Sequence, residues 1–438
     1  MKRFGFSLAV AALMFAVSSP AFSQSNSVAA PAGTAKESLT PEVKDSVLAG
    51  VSRVIKNSAF VPGVDLTKWD EFITSEKDAI DKAKDDAEFA MAVRNAISKF
   101  GISHMVLMTP AATKARIERK AVGIGISIQP DDKGLMITTV YDGSPAAENG
   151  LQPGDILIEA DGKKLTKDST ISGDEGTIVN IKVLHPNGKE QAYKITRRKF
   201  SNIRPDTIKW VNESTALVKI NTFDLSYDRK KVDTLMAEAA KSKGLILDLR
   251  SNGGGAVINM LHLLGYLLPE DEKFGIFIGR AIVNRYVKET SGSASDLKKI
   301  ALWSDSGWLR ASAPSTGAYK GNLVVLINGG SGSASEISAQ ALKELRSANI
   351  VGSKSAGAVL VSTMSPLSNG WQLQYPISDY LSAQGIRLEG NGILPDVEAP
   401  TPRFGEADTA VEKALALLRR AELRNERPNP LLSYILTF

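Results

Sequence analysis

Apolar positions along this chain change their spacing twice, and the changes divide it. Between Leu39 and Phe100 the spacing is helical: Phe89, Val93, Ala96, Ile97 and Phe100 fall on one face of a helix. Gly101 supplies a helix C-terminus, and Met105 to Met108 is an extended apolar run closed by Pro110. Between 117 and 199 short β-type runs dominate, among them Val122 to Ile128 and Leu135 to Val140. From about residue 205 strands and helices alternate. Ala216 to Ile220, Gly244 to Leu249, Leu323 to Ile327 and Asn349 to Gly352 read as strands. The unbroken Leu245-Ile246-Leu247 suits a sheet covered on both faces. Val257, Leu261, Leu264 and Leu268 make one helix face, and Glu406 to Arg420 a closing helix.

Two glycine-rich loops sit at the C-terminal ends of predicted strands, where clefts of open α/β sheets form. One is Asp248-Leu249-Arg250-Ser251-Asn252-Gly253-Gly254-Gly255; the other runs from Asn328 through Ser331, Ser333 and Ser335 to Glu336 and Ile337. Strand, tight small-residue turn and helix is an arrangement that exposes a nucleophilic serine. The same residues also permit a plain capping box, Ser333 with Glu336 three positions on. The turn alone leaves both readings open.

The first residues add a different signal. Lys2 and Arg3 precede an apolar run from Phe4 to Val17 and small residues at Ala21 and Ser23, the pattern of a signal peptide cleaved before Gln24. That run is too short for a membrane span, and no later stretch qualifies. Residues 24–37 read as a flexible leader. Without Lys2 and Arg3, the only charged residues of 1–23, the balance is 51 basic to 48 acidic residues, or +3. So mild an excess gives no case for a nucleic acid partner. Cysteine is absent, which excludes disulfides and thiolate chemistry and suits export to a bacterial periplasm. The three histidines, His104, His185 and His262, lack metal-ligand spacing, so neither a metal nor another cofactor is expected. His185, before Pro186-Asn187-Gly188, is expected to be a solvent-facing turn residue, and His262, in an apolar helix, a structural one.

Ser144-Pro145-Ala146-Ala147 followed by Gly150-Leu151 and Pro153-Gly154-Asp155-Ile156-Leu157 closely resembles the signature of a PDZ domain. The resemblance implies strand addition of an extended peptide, with backbone amides around Val122, Gly123, Ile124 and Gly125 receiving a terminal carboxylate. Together with the D-L-R-x-N-x-G-G loop and the S-x-S-A-S-E turn, the chain resembles the carboxyl-terminal processing proteases, the S41 clan of serine peptidases. That resemblance implies Ser333 as nucleophile.

One departure is decisive for mechanism. The serine–lysine branch of that family carries its base lysine in a T-F-G-K-G-x-x-Q motif; here Ser355-Ala356-Gly357-Ala358 places Ala358 at the lysine position and Ser362 at the glutamine. A serine hydroxyl without a base is a poor nucleophile at neutral pH. Gly101-Ile102-Ser103-His104 is instead similar to the G-x-S-H motif of the tricorn-core branch, which uses a Ser-His-Ser-Glu tetrad, and Glu389 before Gly392-Ile393-Leu394-Pro395-Asp396 matches that branch's glutamate. The resemblance implies His104 as base, Ser103 orienting it and Glu389 in the same polar network. Oxyanion donors are expected at the Ala334 N–H and in Gly253 to Gly255, with Gly254 preferred. Asp248 and Arg250 are expected to brace their loop.

The expected organisation is a mixed α/β and β multidomain protein. It comprises a signal peptide (1–23), a leader (24–37), a helical segment (38–116), an inserted PDZ domain (117–199), an α/β ClpP/crotonase-like peptidase core (200–404) and a C-terminal helix and tail (405–438). The expected function is an exported serine endopeptidase cleaving unfolded or C-terminally tagged proteins. Its partners would be protein or peptide substrates with exposed C-termini and an adaptor or activating peptide. Two alternatives remain at this level: an inactive peptide- or lipid-binding or scaffold protein on the same fold, and a serine–lysine protease using Lys354.

Overall fold

A computed structural model of the chain describes residues 39–166, 169, 171–402 and 406–425. The signal-peptide and leader segments (1–37) and the last residues of the tail lie outside the described residues.

The helical segment is not one helix but a layer of several. Pro41–Asn57 starts behind Thr40, whose hydroxyl accepts from the Val43 N–H, and Asp86–Ser98 behind Asp85, whose carboxylate accepts from the Ala87 and Glu88 N–H groups. Short helices Trp69–Thr74 and Lys77–Lys82 lie between them. Phe89, Val93, Ala96 and Ile97 are buried as their spacing predicts, and Phe89 meets Trp371 edge to face at 5.2 Å. Gly101 then takes a left-handed backbone (φ 66°) that ends the helical layer and turns the chain into the strand Val106–Met108.

Residues 120–201 form a separate β module. Ile126–Asp131, Gly134–Val140, Ile156–Ala160, Ile178–Leu184 and Glu190–Thr196 make an antiparallel sheet over a small core that includes Leu135, Ile137, Leu157, Val179 and Val183. The short helix Pro145–Glu148 is capped by Ser144 and packs Ala146 into that core. Lys120–Gly123 and Arg198–Ser201 pair as a two-stranded ribbon at the module's neck. His185 is not solvent-facing. Its side chain is 18% exposed because Nδ1 bonds Asp155 Oδ1 (2.7 Å) and Nε2 meets the Tyr193 hydroxyl (3.1 Å), tying the hairpin turn to the Pro153-Gly154-Asp155 loop.

The remaining chain builds two sheets. The first has the order Thr207–Trp210, Thr215–Lys219, Gly244–Asp248, Asn322–Ile327, Asn349–Gly352, Val397–Glu398, parallel except for its first pair. Successive side chains of a strand face opposite ways, and both faces here are covered. Leu245, Leu247, Val325 and Ile327 pack with the helices Arg229–Ala239, Val257–Gly265 and Ala334–Arg346. Ile246, Val324 and Leu326 pack against Ala410, Ala414 and Leu418 of Thr409–Asn425. The fully apolar strands of the sequence are thus explained by two-sided burial.

The second sheet centres on the long strand Gln372–Ser382. It pairs with Lys273–Gly279, with Val361–Pro366 and, at Gln372 to Gln374, with Val106–Met108. This pairing draws the N-terminal layer against the core, and the chain leaving the same strand reaches Glu389 seven residues later.

Candidate active site

Ser333 ends the turn after Asn322–Ile327 and stands immediately before the helix Ala334–Arg346. Its backbone (φ 53°, ψ −119°) is one that side chains rarely adopt, at a cost of order 1–3 kcal/mol. Hydrogen bonds hold it there. The Ser333 N–H is shared between Ala358 O (2.8 Å) and Glu336 Oε2 (3.0 Å), while Gly332 donates to Asn252 O (3.1 Å). Glu336 is fully buried and accepts three further donors: Ser355 Oγ (2.6 Å), Gly357 N (2.8 Å) and Ala358 N (3.0 Å). Glu336 therefore caps the helix and also fixes the 355–358 loop. Ser331 and Ser335 are buried turn residues, their hydroxyls donating to Leu249 O (2.9 Å) and Asn252 O (2.8 Å).

The inverted backbone aims the Ser333 hydroxyl away from its own helix and at His104, whose Nε2 lies 3.2 Å from Oγ across 229 residues of sequence. His104 also has a left-handed backbone (φ 59°). Its Nδ1 is 2.7 Å from Ser103 Oγ, and that oxygen is 2.9 Å from Glu389 Oε2. Glu389, 5% exposed, accepts in addition from the Ser103 N–H (2.8 Å) and the Val359 N–H (2.8 Å).

Donor arithmetic fixes the tautomer of this chain. A carboxylate only accepts, so the Ser103 O–H points at Glu389. The Ser103 oxygen is then left to accept from Nδ1–H, and Nε2 is the bare nitrogen facing Ser333. Burial pushes the His104 pKa below the usual imidazole value, and the Glu389 charge partly offsets that. Both the depressed pKa and the hydrogen-bond pattern favour the neutral imidazole, with Nε2 as acceptor.

The glycine-rich loop after Gly244–Asp248 lies against the serine. A Cβ on Gly254 (φ 96°) would stand 2.6 Å from Ser333 Cβ and 3.0 Å from Ala334 N, so only glycine fits. As the first residue of its helix, Ala334 has an N–H with no intrahelical acceptor. That N–H makes no hydrogen bond among the described residues, which leaves it free to take an acceptor. Gly254 does not match its expected role. Its N–H donates to Asn252 Oδ1 (3.0 Å), an Asx turn legible in Asn252-Gly253-Gly254. The loop N–H groups without a partner among the described residues are those of Gly253 and Gly255. Asn252 also donates to Ile220 O (3.0 Å), pinning the loop from below. Arg250 bonds Asp248 and, through two nitrogens, Asp408, so the pair braces the loop as expected.

Lys354 is exposed and its ammonium makes no contact with Ser333, and Ala358 contributes only backbone to the site. His262 is satisfied by Tyr227 (2.9 Å) and Asp233 (2.8 Å), as a structural histidine. In the β module, Val122 and Gly123 fall within the two-stranded ribbon. The Ile124 and Gly125 N–H groups make no hydrogen bond among the described residues. Gly125 (φ 84°) is also where Ser144 packs closest.

A serine faced by a histidine, itself held by a hydroxyl and a carboxylate, is the arrangement of a serine hydrolase site. Comparison with known proteins narrows the class. Residues 214–399 match the model of peptidase family S41 and residues 122–196 that of the PDZ domain. It is 32% identical over 294 residues to a protein named "Probable CtpA-like serine protease" from Staphylococcus aureus (strain N315), covering 65% of this chain and 53% of the relative. A protein of the same name from Staphylococcus haemolyticus (strain JCSC1435) is 28% identical over 291 residues, with the same coverage. The chain thus spans about half the length of the curated relatives it matches. Among solved structures, mature CPAF superposes with a TM-score of 0.54 at 13% identity, covering 89% of this chain and 99% of that one. The photosystem II D1 C-terminal processing protease superposes with a TM-score of 0.50 at 21% identity, covering 83% and 94%. Both likenesses establish the fold.

Proposed function

We propose that the chain is an exported serine endopeptidase that uses His104 as its base and acts on unfolded or C-terminally tagged proteins. The observation that carries this reading is the unbroken series Glu389, Ser103, His104, Ser333, each within hydrogen-bond reach of the next. In the proposed cycle His104 Nε2 takes the Ser333 proton as Oγ attacks the scissile carbonyl. The Ala334 N–H, with a second donor from Gly253 or a released Gly254, receives the oxyanion. His104 then protonates the leaving amine, and water resolves the acyl-enzyme by the reverse sequence. One oxyanion donor contributes ~3 kcal/mol to such a transition state. Ser103 and Glu389 hold the tautomer and the ring. The PDZ module would admit the substrate tail by strand addition, with the Ile124 and Gly125 amides as the available carboxylate donors.

The test is hydrolysis of an unfolded protein by the full chain and by Ser333→Ala, with candidate activating peptides added to each. Hydrolysis and fluorophosphonate labelling that both vanish in Ser333→Ala are expected. Hydrolysis that survives the substitution overturns Ser333 as the nucleophile, and none by the parent under any of these conditions overturns the reading in favour of a non-catalytic binding protein. Export to the periplasm is proposed from the pattern of residues 1–23 and is tested by the mature N-terminus, expected at Gln24.

A further inference from the structure

A cavity of about 430 Å³ opens where the neck of the PDZ module meets the peptidase core, within the ~300–1,000 Å³ usual for ligand sites. Arg116, Arg119 and Arg204 line it with one carboxylate, Asp224, while Tyr141 and Leu225 give it an apolar wall. Arg116 is already committed, bonding Asp224 through Nε (3.2 Å) and Nη2 (2.9 Å). Arg204 spends Nη2 on the carbonyls of Asn221 (3.2 Å) and Ser251 (3.1 Å), makes no ion pair among the described residues, and has its charge within electrostatic reach of Asp206. The Arg119 guanidinium makes no hydrogen bond or ion pair among the described residues. It projects from a left-handed residue (φ 53°) that caps the helix Pro110–Glu118. Of the three guanidinium groups in the lining, that of Arg119 is thus the one with no acidic partner among the described residues.

The wall of this cavity is linked through Gly254 to the turn that carries Ser333. Its wall residue Thr222 reaches Gly254 O through its hydroxyl (3.5 Å), and the next residue, Phe223, donates its N–H to the same oxygen (2.9 Å). Gly254 in turn is the residue whose Cβ would collide with Ser333. An arginine fork matches a carboxylate in plane and spacing, and the apolar wall suits an adjoining aliphatic or aromatic side chain.

We propose that this cavity is a carboxylate-binding subsite for the peptide substrate, with Arg119 and Arg204 taking either the α-carboxylate of its C-terminus or an Asp or Glu side chain. The proposal rests on the peptidase reading for its ligand class and goes beyond it in assigning specificity to residues outside the PDZ loop.

Binding of fluorescent peptides to full-length Ser333→Ala protein tests it without requiring cleavage. Three peptides of one apolar sequence are compared: free C-terminal acid, C-terminal amide, and amide with one internal Glu. At least one carboxylate peptide is expected to bind about tenfold tighter than the plain amide, with the preference shrinking as salt rises. Which of the two does so identifies the source of the carboxylate. In Arg119→Ala a preference for the internal Glu is expected to vanish and a preference for the free acid to shrink to the part that the Ile124 and Gly125 amides supply, while the amide peptide binds as before. In Arg119→Glu a matching Lys-bearing amide peptide is expected to gain. A carboxylate preference that persists unchanged in Arg119→Ala, or the absence of any preference in the parent, overturns the proposal. Cleavage by the Ser333-intact chain is scored separately. A protein that shows the Arg119-dependent preference yet never cleaves retains this subsite and loses the peptidase reading, and one that cleaves all three peptides alike, with or without Arg119, does the reverse.

Discussion

Two buried glutamates flank Ser333, and their surroundings assign them different work. Glu336 sits on the Ser333 side, fully buried, and its four donors among the described residues belong to the two loops that shape the turn. Glu389 sits on the histidine side, and one of its three donors is the hydroxyl that holds His104. The first carboxylate holds a backbone; the second holds a base. The lesson is that a buried acid near a nucleophile is read by what its donors are attached to, not by its distance from the chemistry.

Substitutions that keep size and remove charge separate the two. Glu389→Gln is expected to lower kcat by roughly 10² to 10⁴, the range of general acid–base catalysis, since the amide no longer enforces the Ser103 hydroxyl direction. Stability should fall by only about 1 kcal/mol, one ordinary hydrogen bond. Peptide hydrolysis and urea unfolding on the same preparation measure both. Glu336→Gln is expected to cost on the order of 3 kcal/mol in urea unfolding, because charge-assisted bonds at ~1.5–3 kcal/mol each are weakened. Equal stability losses in the two variants would erase the distinction.

The smallest effect concerns pH. Burial lowers the His104 pKa and the Glu389 charge opposes that, so the acid limb of kcat/KM should lie below the ordinary imidazole value of ~6.5. Removing the charge in Glu389→Gln leaves burial unopposed and moves the limb to still lower pH. A limb that moves upward would reverse the assigned electrostatics. The same depression has a sign for stability: the unfolded chain binds this proton more readily, so the His104 contribution is present above ~6.5 and declines as pH falls toward the folded-state pKa.

Much of the site was legible because it rests on local chemistry. Ser333 lies between an apolar strand and a helix start; His104, Ser103 and Glu389 came instead from the resemblance to the tricorn-core branch, once Ala358 stood at the lysine position. The parallel strands were equally plain, since two-sided burial writes continuous apolar runs. The second sheet was not. Gln372–Ser382 mixes buried and half-exposed positions and carries Pro376 and a buried Asp379 that is paired with Arg387, so neither alternation nor an apolar run marks it. Yet this strand pairs with Val106–Met108 and thereby carries His104 to the serine. His185 failed for a related reason, because its partner Asp155 lies 30 residues away, beyond any periodicity. Gly254 was a missed local signal: the Asx turn at Asn252 was there to be read.

The central claim is that Ser333 depends on His104. Fluorophosphonate labelling of Ser333 reports nucleophile activation without a natural substrate. Measured at neutral pH in the parent, His104→Ala and Lys354→Ala proteins, its rate is predicted to fall by at least about 10² in His104→Ala and to stay at the parental value in Lys354→Ala. Undiminished labelling in His104→Ala, or a collapse in Lys354→Ala instead, would contradict the account.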